Sequence, residues 1–110
     1  MDILDYIPTG RQNAITRSDL CRITGLTDRM MRDALHEAKL KIPILNMQDG
    51  KGYFIPDMND QNDRYTLMMH VRQEESRIRS TEDALETERK TLRNCGIYWR
   101  SNDEQQAERS

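Results

Sequence analysis

Apolar residues in the first half of the chain recur at helical spacing in two segments that each follow a threonine. Thr16 precedes a helical pattern over residues 17–24, and Gly25 stands where a left-handed residue ends such a helix. Thr27 then precedes a second apolar pattern, which runs from Asp28 to Lys39 or Leu40. Because threonine side chains cap helix N-termini, the sequence predicts two short helices joined by a turn.

Short segments of other structure surround these two helices. Residues 1–7 are predicted to form a short helix, residues 14–16 a brief strand, and residues 42–47 a longer apolar strand. Residues 48–51 contain Asp-Gly, which favours a tight hairpin turn, and residues 52–55 supply the return strand. This order of elements is that of a winged helix-turn-helix domain, a mainly α fold with a small β-hairpin.

The second half of the chain follows a different pattern. Residues 57–63 are polar and rich in turn-forming residues, and we interpret them as a linker after a first domain at residues 1–56. The stretch from about residue 61 to 95 lacks Gly and Pro and predicts a long helix, so that residues 64–99 form a C-terminal helical region. The polar residues 100–110 are predicted to be a disordered tail.

Apolar residues recur every seven positions along this long helix. They are Val71, Ile78, Leu85 and Leu92. The positions four residues before them are Leu67, Glu74, Thr81 and Glu88, of which only the first is apolar. A coiled-coil seam has apolar residues at both sets of positions, so this helix carries half a seam. Two interpretations stay open: weak pairing into a homodimer or higher oligomer, antiparallel or in a bundle, and a monomeric helix that folds back on its own domain.

Composition and charge exclude some classes of protein. The chain has 110 residues, a net charge of −2 and no apolar run long enough for a signal peptide or a membrane span, so we expect a cytoplasmic protein without membrane contact. Cys21 and Cys95 form no close pair, which favours free thiols over a disulfide or a zinc site. Between Arg11 and Lys51 there are eight basic and five acidic residues, a bias too mild to indicate nucleic-acid binding by itself.

The helix that begins at Asp28 has one apolar and one polar face. In a helix-turn-helix, the N-terminal part of this second helix enters the major groove and reads base edges. Arginine donates two hydrogen bonds to guanine, an aspartate accepts from cytosine, and a histidine reaches a base or a phosphate. The predicted base contacts are therefore Arg29, Arg32, Asp33 and His36. The competing interpretation is a solvated helix face with charges of both signs.

Other basic residues are placed where they would contact phosphates. The candidates are Arg11 in the first loop, Arg17 and Arg22 on the first of the two helices, and Lys51 at the tip of the hairpin. Such contacts set affinity and salt dependence without reading sequence. For each of these residues an ordinary surface charge is the alternative.

Three stretches of the chain resemble small winged-helix proteins encoded by phages and prophages of Gram-positive bacteria. They are IPTGRQNAIT at residues 7–16, TGLTDRMMR at residues 24–32, and Ile42-Pro43-Ile44 together with Gly52-Tyr53-Phe54. The resemblance covers residues 3–56, about half of the chain. It implies a DNA-binding fold used in transcription regulation or in phage DNA metabolism. Met30-Met31 stands where that family often has a β-branched residue.

The sequence carries no pattern typical of an enzyme or a cofactor site. Gly50-Lys51-Gly52 lacks the other residues of a phosphate-binding loop, and His70 with Glu74 has no further metal ligand beside it. We therefore expect a non-catalytic protein without metal, cofactor or small-molecule substrate, whose partner is double-stranded DNA. The alternative is a protein-interaction adaptor that uses the winged domain and the long helix without binding DNA. The nine basic and twelve acidic residues of the segment 57–110 keep that alternative open.

Overall fold

A computed structural model describes residues 1–99, which divide into two compact units, Met1–Val71 and the residues from Arg72 onward. In chain order the described elements are 3-10 helices at Ile3–Tyr6 and Arg11–Asn13, α1 at Arg17–Thr24, α2 at Asp28–Lys39, β1 at Leu45–Asn46, β2 at Tyr53–Phe54 and α3 at Gln61–Asn94. This confirms a mainly helical fold with a small antiparallel hairpin and a long C-terminal helix. None of the described helices is both long and apolar enough to cross a membrane. The predicted tail, residues 100–110, lies outside the described residues.

Helices α1 and α2 begin and end at the residues that the sequence indicated. Thr16 Oγ1 accepts a hydrogen bond from the backbone N–H of Asp19 at 3.1 Å, and Thr27 Oγ1 accepts one from Met30 at 3.2 Å. Gly25 has a φ of 76°, and its N–H donates to the Cys21 carbonyl at 2.8 Å. The predicted caps are therefore confirmed, because local hydrogen bonds start and stop each helix.

The strands of the hairpin are shorter than predicted. Only Leu45–Asn46 pairs with Tyr53–Phe54, so the predicted strand over residues 42–47 was wrong in its extent. Pro43 has no N–H with which to join a strand ladder, and this limits the first strand to the residues that follow it.

The loop between the two strands spans residues 47–52, and the predicted tight turn at Asp49-Gly50 was wrong. Positive φ angles occur at Gln48, Gly50 and Gly52. A tight two-residue turn concentrates the change of chain direction at its two central residues. Here the change is distributed over the whole loop, which gives the hairpin a broad tip.

Ile15 also pairs with strand β2. Its N–H donates to the Tyr53 carbonyl at 3.0 Å, and its carbonyl accepts from the Tyr53 N–H at 2.7 Å. The brief extended segment predicted at residues 14–16 is confirmed at this position. Because α1 begins two residues after Ile15, these hydrogen bonds hold the start of α1 beside the hairpin.

One hydrophobic core lies in the first unit. Its buried members are Ile3, Ile7, Leu20, Met31, Leu35, Ala38 and Ile44. Three of them come from a single face of α2, and burial stabilises a large apolar side chain by about 1.5–3 kcal/mol. This burial fixes the orientation of α2 about its own axis, so that its opposite face is left in water.

Helix α3 begins at a network of hydrogen bonds made by acidic residues. Asp60 Oδ1 accepts from the N–H of Asn62 at 3.0 Å, as an N-cap residue does. Asp63 is only 2% exposed, and its Oδ2 accepts from the N–H of Asp57 at 2.8 Å. The helix therefore starts at Gln61, inside the segment that the sequence assigned to a linker.

The C-terminal end of α3 is also set by local hydrogen bonds. Gly96 has a φ of 74°, and its N–H donates to the Arg93 carbonyl at 3.0 Å. The N–H of Ile97 donates to the Leu92 carbonyl at 2.9 Å, which completes a Schellman motif. The helix consequently stops at Asn94, before the end of the helical region predicted at residues 64–99.

Candidate nucleic-acid interface

Helix α2 has one buried and one exposed face. The buried face consists of Met31, Leu35 and Ala38, which are 0–4% exposed. The four predicted base contacts, Arg29, Arg32, Asp33 and His36, are all exposed. The structure thus exposes these four side chains to water, while the buried face of α2 packs in the core and fixes the position of the helix.

Asp28, the first residue of α2, links two of the predicted DNA contacts. Its Oδ1 accepts a hydrogen bond from Arg17 Nε at 2.6 Å, and its Oδ2 lies 3.0 Å from Arg32 Nε. The hydrogen bond that Arg17 donates to Asp28 raises the pKa of the Arg17 guanidinium, which stays charged at every physiological pH. One carboxylate therefore brings a predicted phosphate contact and a predicted base contact to the same place.

The loop of the hairpin carries a second ion pair between predicted contacts. Arg11 Nη2 lies 3.4 Å from Asp49 Oδ2, and the backbone N–H of Lys51 donates to Asp49 Oδ1 at 2.9 Å. The hydrogen bond from the Lys51 N–H, followed by the bond from Arg11, lowers the pKa of the Asp49 carboxyl. Asp49 is thus ionised at neutral pH, and it holds Arg11 against the loop that carries Lys51.

The start of α1 and the hairpin loop enclose a shallow groove of about 370 Å³. Arg17 lines this groove together with Gln48, Gly50 and Tyr53. The groove connects the Asp28 ion pairs to the loop, since Arg17 belongs to both. Three of the four predicted phosphate contacts, Arg11, Arg17 and Lys51, therefore surround one region of the first unit.

Arg22 is separate from this region. Its Nη2 lies 3.3 Å from Oδ1 of Asp19, one turn away on α1. Within residues 1–99, no other hydrogen bond or ion pair connects Arg22 to α2 or to the hairpin loop. The structure thus gives Arg22 only a local partner on its own helix.

Lys39 is a residue that the sequence analysis did not include among the candidate contacts. Its Nζ lies 5.7 Å from the centroid of the Tyr53 ring, a distance at which a cation and an aromatic face attract each other. Lys39 follows Arg32 by seven residues, or about two helical turns, so both lie along one edge of α2. The spacing from Arg32 was the signal in the sequence that could have added Lys39 to the candidates, whereas its position beside the hairpin follows from its contact with Tyr53.

The acidic residues in this part of the chain neutralise only some of the arginines. Asp19, Asp28 and Asp49 form the ion pairs with Arg22, with Arg17 and Arg32, and with Arg11. Arg29, Lys39 and Lys51 make no ion pair within the described residues. The region between α2 and the loop therefore contains both positive charges without an ion-pair partner and arginines that ion pairs hold in place.

Residues 1–99 contain no group of three or more His, Cys, Asp or Glu side chains that could together hold a metal ion. Comparison of the chain with protein-family models, with curated proteins and with solved structures found no match. The function of the chain is therefore inferred from the geometry of the first unit and from its charges.

Proposed function

We propose that residues 1–56 are a winged helix-turn-helix domain that binds duplex DNA, with the N-terminal part of α2 in the major groove. The observation that carries this proposal is the exposed face of α2. Its arginines stand opposite side chains that are buried in the core. Helix-turn-helix proteins read base edges with a helix that is held in this way, and arginine is the residue that most often contacts guanine.

The order of elements supports the proposed domain. The turn Gly25–Thr27 separates α1 from α2, and the hairpin follows α2 and pairs with Ile15. In the proposed complex α2 occupies the groove, while the loop of the hairpin and the start of α1 face the sugar–phosphate backbone. Arg11, Arg17 and Lys51 then neutralise phosphates, and Lys39 joins them as a fourth contact.

The ion pairs of the free chain are consistent with this proposal. Exposed ion pairs contribute only about 0–1 kcal/mol, because water and salt screen them. A phosphate offers Arg17 charge-assisted hydrogen bonds of the same kind as Asp28 does, and a guanine offers Arg32 two acceptors, so both arginines exchange Asp28 for DNA at little cost in free energy. Until that exchange, Asp28 keeps both side chains in place and limits the entropy lost on binding.

The biological role that follows is transcription regulation or DNA metabolism in the cytoplasm of a bacterial cell. These are the roles implied by the resemblance to winged-helix proteins of phages and prophages. The adaptor hypothesis becomes the preferred one if the first unit binds no DNA.

The proposal is tested by selecting bound fragments from a random duplex pool and titrating the best fragment by fluorescence anisotropy. Wild type is expected to bind, with an affinity that falls with salt by a slope of about −0.9 per neutralised phosphate. The double variant Arg29→Ala, Arg32→Ala is expected to bind the selected fragment at least about 30-fold more weakly, because each bidentate base contact contributes about 1–3 kcal/mol and two contacts are lost.

The matched control is Arg64→Ala, Arg72→Ala, which removes the same charge from α3. This control is expected to bind within about twofold of wild type, since neither arginine contacts DNA in the proposed complex and salt screens exposed charges. Absence of binding by wild type at low salt would contradict DNA binding. Equal losses in the double variant and its control would instead exclude α2 as the reading helix.

A substitution of Asp28 gives a second prediction, in which the affinity for DNA rises instead of falling. Asp28→Asn removes a carboxylate that competes with a DNA phosphate for Arg17 and that repels the DNA backbone, so affinity for non-specific duplex is expected to rise several-fold. The same change removes an acidic group from the first turn of α2 and is expected to lower stability by about 0.3–1 kcal/mol. Anisotropy at low salt and urea denaturation measure the two effects. Asp83→Asn on α3 is the control, and an unchanged or weaker affinity of Asp28→Asn relative to it would show that Asp28 does not compete with DNA.

A further inference from the structure

The groove between the start of α1 and the hairpin loop is lined by hydrogen-bond donors and, among residues 1–99, by no acidic side chain. Apart from two glycines, every lining residue has an N–H or O–H group in its side chain; these residues are Thr16, Arg17, Asn46, Gln48 and Tyr53. Because donors from α1 and from the hairpin converge on one concave surface, the groove suits a negatively charged ligand with several acceptor oxygens.

Several of these donors have no partner within the described part of the chain. Arg17 bonds to Asp28 through Nε, which leaves its two Nη atoms without a hydrogen bond or an ion pair. Asn46 Oδ1 accepts from the backbone N–H of Gln48 at 3.1 Å, so the acceptor end of this amide is already occupied. The side-chain amide groups of Asn46 and Gln48 donate to no atom of residues 1–99. These donors are consequently available to a ligand.

The charges beside the groove are positive on balance. Lys39 Nζ lies 5.7 Å from the centroid of the Tyr53 ring. The hydrogen bond to Asp28 and, after it, one with Tyr53 raise the pKa of Arg17, so that Tyr53 has a cation near its ring and another near its hydroxyl. Asp28 is the carboxylate bonded to Arg17, and it is shared with Arg32. Its negative charge is therefore offset by two arginines.

We propose that this groove binds a phosphate group through donors on Arg17, Asn46, Gln48 and Tyr53. The inference rests on the proposed function, in which the phosphate belongs to the DNA backbone. Since the groove is shallow, a phosphate of a continuous strand enters it without a free strand end. The Arg17 guanidinium supplies the charge, and the neutral amides and the hydroxyl donate to the remaining phosphate oxygens. Three residues without a charge thus join Arg17 as phosphate contacts.

Asn46→Asp tests the site with little change of shape. The new carboxylate still accepts from the Gln48 N–H, while the lost amide group is replaced by an oxygen that repels phosphate. Affinity for the selected fragment is expected to fall about tenfold. The salt slope is expected to lose about 0.9 in magnitude, because one phosphate fewer is neutralised.

The matched control is Asn59→Asp, which makes the same chemical change at a residue that does not line the groove. This control is expected to bind within about twofold of wild type with an unchanged salt slope, since salt screens an exposed charge outside the interface. Equal losses in the two variants would overturn the proposal, because the loss would then reflect the added charge alone.

Tyr53→Phe tests the same site without any change of charge. The ring beside Lys39 is retained, and only the hydroxyl is lost. We expect duplex affinity to fall about two- to tenfold, as for the loss of one hydrogen bond, with an unchanged salt slope. This variant also keeps the proposal testable if urea denaturation shows that Asn46→Asp disturbs the loop. An affinity equal to that of wild type would overturn the assignment of Tyr53 to the site.

Inorganic phosphate probes the groove in the absence of DNA. Wild-type chain is titrated with phosphate against chloride at constant ionic strength, and the side-chain amide signal of Gln48 is followed by NMR. A saturable shift is expected in wild type, and a weaker one in Asn46→Asp. Absence of the shift in wild type, or the same shift in both chains, would overturn the proposal.

The two kinds of titration separate this inference from the proposed function. Saturable binding of inorganic phosphate by a chain that binds no duplex would keep the phosphate site and contradict DNA as its source. Duplex binding that Asn46→Asp and Tyr53→Phe both leave unchanged would instead overturn the phosphate site, while DNA binding by α2 would stand.

Discussion

Met31→Ala is expected to lower the free energy of unfolding by about 2–5 kcal/mol, because it removes a fully buried side chain from the centre of the first unit. Met31 is 0% exposed and packs in the core on the face of α2 opposite Arg29 and Arg32. The remaining cavity has no partner atoms to fill it, so the loss exceeds the transfer free energy of the deleted atoms. Urea denaturation followed by circular dichroism measures the change.

Met30→Ala is a closely matched control for this substitution. Met30 is adjacent in the same helix, is 52% exposed and undergoes the same chemical change. Any difference in helix propensity between Met and Ala is therefore common to both variants and cancels in the comparison. We expect Met30→Ala to change stability by less than about 1 kcal/mol. Equal effects of the two variants would mean that α2 is rotated about its axis, and the assignment of its exposed face to DNA would fail with it.

Gly52→Ala is expected to lower stability by about 3 kcal/mol or more, because backbone strain and steric overlap of the new Cβ atom act together. Gly52 has a φ of 103°, a conformation that side chains rarely adopt. A Cβ atom at this position would overlap the Ile15 carbonyl and lie 2.6 Å from the backbone nitrogen of Thr16. Neither backbone group moves without breaking the hydrogen bonds between Ile15 and Tyr53, so the hairpin must separate from the start of α1.

Gly50→Ala is the control for Gly52→Ala. Gly50 lies in the same loop with a φ of 82°, but a Cβ atom there meets no atom within 4 Å. Only the strain of the left-handed conformation remains, and we expect a loss of about 1–2 kcal/mol. Thermal or urea denaturation of both variants distinguishes the loss of stability caused by steric overlap from the loss caused by backbone strain. If the two losses were equal, the close approach of Gly52 to Ile15 would not contribute to the stability of the first unit.

Local signals in the sequence predicted the helices well and the hairpin poorly. Threonine caps and Gly25 act within one helical turn, so the bounds of α1 and α2 followed from neighbouring residues alone. The extent of β1 depends instead on which residues find partners across the loop. The Asp-Gly pair at residues 49–50 indicated a turn, but not one distributed over six positions.

The sequence was enough to predict which residues of α2 are exposed in the candidate interface. It was not enough to predict how the residues of that interface are arranged relative to one another. Helical spacing indicated that Arg29 and Arg32 stand opposite Met31 and Leu35, and burial confirmed this. The link from Arg17 through Asp28 to Arg32 joins residues on two helices, and no spacing along the chain encodes it. The same applies to the contact of Lys39 with Tyr53, which depends on how the hairpin packs.

The sequence by itself determined where helices α1 and α2 begin and end, which side of α2 is apolar, and that α3 carries apolar residues every seven positions. These features depend on interactions between residues a few positions apart, whose geometry is the same in any helix. Only the tertiary structure decided which arginines share Asp28, why position 52 is glycine, and that most of those apolar residues of α3 are exposed. Those features depend on the packing of segments distant in sequence, because contacts across a core arise only after the chain has folded.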